Sequence, residues 1–333
     1  MKKHKTIFNF IIIFLITALV LYFSLKDDYQ SILSQMKSLP PIYFVLSLSF
    51  VLLYYLLRSL SLHSIIQVFQ KDYPFKRTFS LVLITQFFNA ITPFSTGGQP
   101  FQIYHLKKDG ISVTNGTNII MQNFIVYQIA LVLLGIFALI YNLIFHIYEE
   151  IHILKHLVTL GFIINTAVIV FLFFIAFSQK FSDLILKLFE FFLRKKKDKE
   201  ERITKWNEYI DTFHTGAKVL MKDKKRFIFN ILYNIIALSI LYLVPYFLIY
   251  GMGEVHIHPI TVIVSSAYTM LIGAFVPIPG ATGGIEYGYI SFFGQFIKGP
   301  VLNASMLLWR GITYYMGLII GAITLALKKE VNK

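Results

Sequence analysis

Two short runs in this chain combine residue types that could hold a charged group without breaking a bond. Pro93-Phe94-Ser95-Thr96-Gly97-Gly98 and Pro279-Gly280-Ala281-Thr282-Gly283-Gly284 both read P-x-x-T-G-G, 186 residues apart, and each interrupts an apolar stretch. Proline cannot donate a helical hydrogen bond, and glycine costs about 1 kcal/mol in a helix interior, so Pro93 and Pro279 predict breaks. Where a helix resumes after each Gly-Gly, its first amides lack intrahelical partners and the helix dipole adds positive potential. Such an end attracts an anion, and glycine lets the anion approach the backbone N–H groups. Thr96, Gly97, Gly98 and Gln99, with Thr282, Gly283 and Gly284, are therefore candidate binding residues. The competing reading is that Pro and Gly only permit close helix packing.

Few charged side chains fall within apolar segments. Glu286 is in the first turn after the second break, and an ionised group there costs at least ~2.5 kcal/mol unless paired. It could couple to a proton, face a cationic group, or cap the helix dipole. Arg310, beside Trp309 and about ten residues into the last apolar run, could pair with Glu286 or grip a phosphate through its planar fork. Arg58 is near the end of its run, where snorkelling to the interface is the simpler account. Asn89, Gln86, Gln99, Gln122 and Asn123 flank the first break and could satisfy freed backbone or contact ligand oxygens, while Tyr314 and Tyr315 fit packing.

His152, His156, His256 and His258 have spacings that could suit a metal, but no carboxylate pattern supports one, so neither metal nor cofactor is expected. No phosphate-binding loop, H-E-x-x-H or G-x-S-x-G occurs, and no catalytic residue is assigned. With no cysteine, disulfide and thiol chemistry are excluded.

The elements that must position these residues follow from composition. At 56% hydrophobic and 14% charged, the 333-residue chain could not cover a soluble exterior; a lipid-facing one removes that need. The net charge of +14 sits in links and at the ends rather than in a nucleic-acid stripe, so no nucleic-acid partner is expected. Six runs are long enough to span: 7–25, read as a retained first helix, then 42–62, 119–145, 157–177, 227–250 and 301–327. The broken stretches 78–106 and 259–297 read as re-entrant hairpins of two half-helices, because exposed backbone survives at membrane depth only beside protein or a wet cavity. This arrangement puts the basic links inside, including 178–226 with 14 Lys/Arg against 8 Asp/Glu, and makes both termini cytoplasmic.

The fold expected is an all-α polytopic membrane protein of six spanning helices and two re-entrant hairpins, arranged as an inverted-topology repeat. The first repeat is 1–150 and the second 151–333, with 178–226 as a cytoplasmic insert. Phe181, Leu184, Ile185, Leu188 and Phe192 fall on one helical face, and Ile203, Trp206, Ile210, Phe213 and Ala217 on another. Two amphipathic helices on the inner leaflet are expected there.

F-F-N-A-I-T-P-F-S-T-G-G-Q-P-F-Q-I-Y, P-I-P-G-A-T-G-G-I-E and L-L-W-R-G-I-T-Y-Y resemble the flippase-like membrane domain of lysylphosphatidylglycerol synthase, the multiple peptide resistance factor, over essentially the whole chain. The resemblance implies a multi-pass protein of the bacterial plasma membrane. It further implies movement of phosphatidylglycerol or lysylated phosphatidylglycerol between leaflets, linked to resistance against cationic antimicrobial peptides. The candidate residues would then hold a lipid headgroup. The full-length family carries a cytoplasmic aminoacyl-transferase domain, whereas this sequence ends at Lys333 after its last span, so lysyl transfer by this chain alone is not expected. Two alternatives remain: the membrane component of a phosphatidylglycerol lysyltransferase, or a scaffold for a separate lipid-modifying enzyme. A homo-oligomer is compatible with each.

Overall fold

The computed structural model describes residues 29–148, 152–193, 199–253, 257–273 and 276–331. The expected first span, 7–25, lies outside them. The described residues form helices and connecting turns, with no strand among them. In chain order the helices are α1 (Tyr29–Ser38), α2 (Pro41–Phe69), α3 (Phe75–Ala90), α4 (Gly98–Lys108), α5 (Val113–Phe145), α6 (His152–Phe177) and α7 (Gln179–Leu193). They continue as α8 (Lys199–Lys222), α9 (Lys224–Tyr242), α10 (Val244–Gly251), α11 (Pro259–Gly273), α12 (Gly284–Phe293), α13 (Pro300–Arg310) and α14 (Met316–Val331).

Among the described residues, five helical stretches are long and apolar enough to cross a bilayer: Pro41–Phe69, Val113–Phe145, His156–Ile175, Lys224–Gly251 and Pro300–Leu327. Each matches an expected span. Local signals set their ends. Pro41 opens α2, where a missing N–H costs nothing, and Ser112 caps α5 by accepting the Asn115 amide at 3.2 Å. Asp223 caps α9 through the Arg226 amide at 3.0 Å. The outer faces are apolar, with Leu52, Leu53 and Leu56 of α2 and Phe137, Ile140 and Ile144 of α5 exposed. Ser59, Ser61, Asn230 and Asn234 are fully buried between α2 and α9. Apolar outside and polar inside is the polarity of a protein solvated by lipid.

Helices α3 and α4 form a hairpin. At its base Tyr73 donates to Asp109 Oδ2 at 2.6 Å, and Arg77 pairs with Asp109 at 3.5 Å. Burial and the Asp109 carboxylate push the Tyr73 phenol well above its usual range. Nearer the tip, Phe88 stacks on Phe101 with ring centroids 4.0 Å apart. Helices α11 and α12 form a second hairpin, in which Tyr268 meets Phe292 at 5.4 Å and Gly288 lets α12 approach the Thr269 backbone. The two hairpin tips, residues 91–97 and 276–283, touch each other.

Two details differ from the sequence reading. The last span is not a plain α-helix, because residues Gly311–Tyr315 form a π-turn directly after Arg310. In the 178–226 insert, α7 and α8 occur as expected, but the apolar face of α7 is split. Phe181 packs on Phe171 and Phe174, whereas Leu184 and Leu188 are exposed. Helix α8 packs against α5, with Ile210 and Ala217 buried and Gly216 against Asn118. Of its expected apolar face, Ile210 and Ala217 are thus committed to protein contacts, whereas Trp206 is exposed. The side chains of Phe192 and Phe213 lie outside those described.

Candidate functional site

The two tips enclose one end of a cavity of about 500 Å³, walled by α2, α3, α5, α9, α11 and the π-turn. Among the expected residues, Arg58, Gln86, Asn89, Thr96, Gln99, Asn123, Arg310 and Tyr314 line it. Gly97, Gly98, Thr282, Gly283, Gly284, Glu286, Pro93, Pro279 and Trp309 are not among its lining residues. Trp309 is 1% exposed and packs on Tyr289 with centroids 4.9 Å apart, a core contact.

The half-helix amides differ from the expectation. Gly97 N donates to Thr92 Oγ1 at 2.9 Å and Gly98 N to Asn89 Oδ1 at 3.0 Å, both acceptors lying in the same hairpin. Gly283 N donates to Glu286 Oε2 at 2.6 Å. A buried helix end must satisfy its orphan donors, and here side chains already do so. These three amides therefore have partners, and Arg58 and Arg310 are the charged side chains that line the cavity.

Arg310 and Glu286 are 4% and 6% exposed and form an ion pair, Nε to Oε1, at 2.8 Å. Arg310 Nη2 also donates to Gly280 O at 3.2 Å and approaches Thr282 Oγ1 at 3.4 Å. Its guanidinium lies 4.3 Å from the Tyr314 ring centroid, and Tyr314 Oη donates to Ala90 O at 3.0 Å in the first hairpin. Glu286 thus caps α12 and neutralises Arg310 together. The pair staples the second tip, and Tyr314 ties that staple to the first.

Arg58 departs from the snorkelling account. Helix α2 continues to Phe69, so Arg58 is not close to its end. The side chain turns inward, donating to Asn234 Oδ1 of α9, with its guanidinium carbon 4.1 Å from the centre of the Tyr127 ring. Tyr54, Tyr127, Gln102, Gln128 and Asn165 also line the cavity and were not singled out from sequence. Their only signal was a neutral polar or tyrosine side chain inside an apolar run. Asn123 Oδ1 and Gln99 Oε1 are buried and accept no hydrogen bond among the described residues.

The histidines do not assemble a site. His258 Nδ1 accepts from the Ile260 amide at 3.3 Å at the start of α11, and His256 lies outside the described residues. No group of three His, Asp or Glu residues comes close enough to hold a metal among the described residues.

A family model described as the lysylphosphatidylglycerol synthase TM region matches residues 10–321. The chain belongs to this family. No curated protein matches it at a significant level. Membership in the lysylphosphatidylglycerol synthase TM-region family agrees with the long apolar helices, and together they make this a membrane protein with a lipid-related role. Within that family assignment, the cavity between the hairpins is the candidate site.

Proposed function

We propose that the protein carries phospholipid headgroups, anionic or aminoacylated phosphatidylglycerol in particular, between the leaflets of a bacterial plasma membrane. The observation that carries this reading is the meeting of two non-helical tips over a cavity lined by two arginines, in a molecule with an apolar exterior. A headgroup would cross through that cavity while its acyl chains stay among the exposed leucines and phenylalanines outside. In this reading the two hairpins are re-entrant, entering from opposite leaflets within a fold of six spans, and both termini are cytoplasmic.

Matched backbone geometry supports an inverted repeat. Phe94 and Ser95 have φ of 53° and 52°, and their counterparts Gly280 and Ala281 have 66° and 50°. Two consecutive left-handed residues directly after the matching prolines are rare enough to argue for common architecture.

Reconstitution tests the function. Liposomes holding the purified protein and phosphatidylglycerol labelled on its headgroup should exchange label between leaflets faster than protein-free vesicles. Equal rates, with and without a proton gradient, defeat the reading.

A further inference from the structure

Two arginines line the cavity, and their surroundings differ in one decisive respect. Arg310 faces a carboxylate at 2.8 Å, so its charge is already balanced. Arg58 is half-buried, it donates to the neutral amide oxygen of Asn234, and no carboxylate pairs with it among the described residues. A cation held inside an apolar helical segment is costly unless something anionic meets it. We infer that Arg58 is the cavity group that takes the phosphate of the ligand, and that Asn234 positions it; this rests on the cavity being the headgroup path proposed above.

Asn234 is fully buried, and its amide cannot turn freely. Its Nδ2 donates to Ser61 Oγ at 3.0 Å and to Asn230 O at 2.7 Å, which leaves Oδ1 pointing at Arg58. Asn230 is held in turn, accepting from Ser64 Oγ at 2.8 Å and donating to Arg226 O at 2.9 Å. The seam between α2 and α9 is built from neutral amides and hydroxyls. A carboxylate at position 234 would give up the donation to Asn230 O and would cancel the charge of Arg58. A neutral acceptor holds the guanidinium in place and leaves its charge and remaining N–H donors for a phosphate, which a planar fork suits.

The test is equilibrium binding to the full chain in uncharged detergent, using radiolabelled dihexanoylphosphatidylglycerol, radiolabelled dihexanoylglycerol as the uncharged analogue, and inorganic phosphate as competitor. Wild type should prefer the phosphate-bearing probe, with an affinity that falls as salt rises. Asn234→Asp keeps the size of the side chain, gives up its Nδ2 donations and pairs Arg58 with a carboxylate, and Arg58→Gln removes the charge. Each should weaken phosphatidylglycerol binding by about tenfold or more, the loss of one hydrogen bond to a charged group, and leave dihexanoylglycerol binding unchanged. Arg58→Lys should retain part of the preference. A purely structural seam would instead lower both affinities together in Asn234→Asp and Arg58→Gln, or neither, and either pattern overturns the inference. Phosphate probes bound normally by both variants would do so even if leaflet exchange persists. Competition by inorganic phosphate equal to that of the lipid would keep Arg58 as the anion site but assign it to the free ion, which removes the lipid path instead.

Discussion

The two hairpin tips share a motif and differ in how they are held. Both place left-handed residues after the proline, Phe94 and Ser95 in one and Gly280 and Ala281 in the other. The first tip is open: Phe94 is 57% exposed, and its Gly-Gly amides are met by neutral oxygens of Thr92 and Asn89. The second is enclosed, with Pro279, Gly280 and Thr282 buried and the Arg310–Glu286 pair drawn across it. Even the glycines serve different ends. Gly97 is helical at φ −72°, and space is its reason: a Cβ there would fall 2.5 Å from Thr92 Cγ2 and 2.9 Å from Phe88 O. Gly283 has φ +90° with nothing within 4 Å of an added Cβ, so backbone conformation is its reason. A motif can therefore specify a turn while its surroundings decide how firmly that turn is fixed. The second tip is built as the fixed jaw of the cavity and the first as the looser one.

The largest effect should come from breaking the fixed jaw. Glu286→Gln strands a buried guanidinium and should cost about 3–5 kcal/mol of stability, read as a lower melting temperature in detergent. Adding Arg310→Met to that variant should recover part of the loss, giving a positive coupling in a double-mutant cycle. A Glu286→Gln protein that melts with wild type would mean the two tips are equally loose.

The glycines give a sharper contrast at smaller size. Gly97→Ala should cost about 1–3 kcal/mol through overpacking, and Gly97→Asn should be no better, because the obstruction includes a backbone carbonyl. Gly283→Ala should cost about 1–2 kcal/mol and Gly283→Asn about as much, because φ +90° with ψ −52° lies outside the left-handed helical region that asparagine tolerates. A Gly283→Ala protein as stable as wild type would erase the distinction between space and conformation.

The smallest effect is a gain. Phe94→Gly gives the first tip the residue its counterpart already has and relieves left-handed strain of about 1 kcal/mol. A modest rise in melting temperature is expected. A fall would show that exposed Phe94 makes a contact with lipid or detergent worth more than the strain.

Much of this architecture was legible in the sequence because its signals are local. Five of the expected spans recur as helices, since length and apolarity suffice to specify them. The breaks at Pro93 and Pro279 were legible because a missing donor acts wherever it occurs. Other features depended on neighbours distant in the chain. The amides of Gly97, Gly98 and Gly283 looked free in sequence, yet each has a partner supplied by the fold of its own hairpin. Arg58 looked like a snorkelling residue until Asn234, 176 positions away, turned it inward. The π-turn after Arg310 has no composition signal strong enough to predict, because one extra residue in a helical turn is stabilised by tertiary contacts such as the tie from Tyr314 to Ala90.

By itself the sequence determined that the chain lives in lipid, where its long helices run and where they must break, because hydrophobic length and proline chemistry act on consecutive residues. Only the tertiary structure decided which arginine is neutralised and which is left with charge to offer. That distinction depends on whether a carboxylate or an amide from another helix reaches the guanidinium, and packing alone settles it.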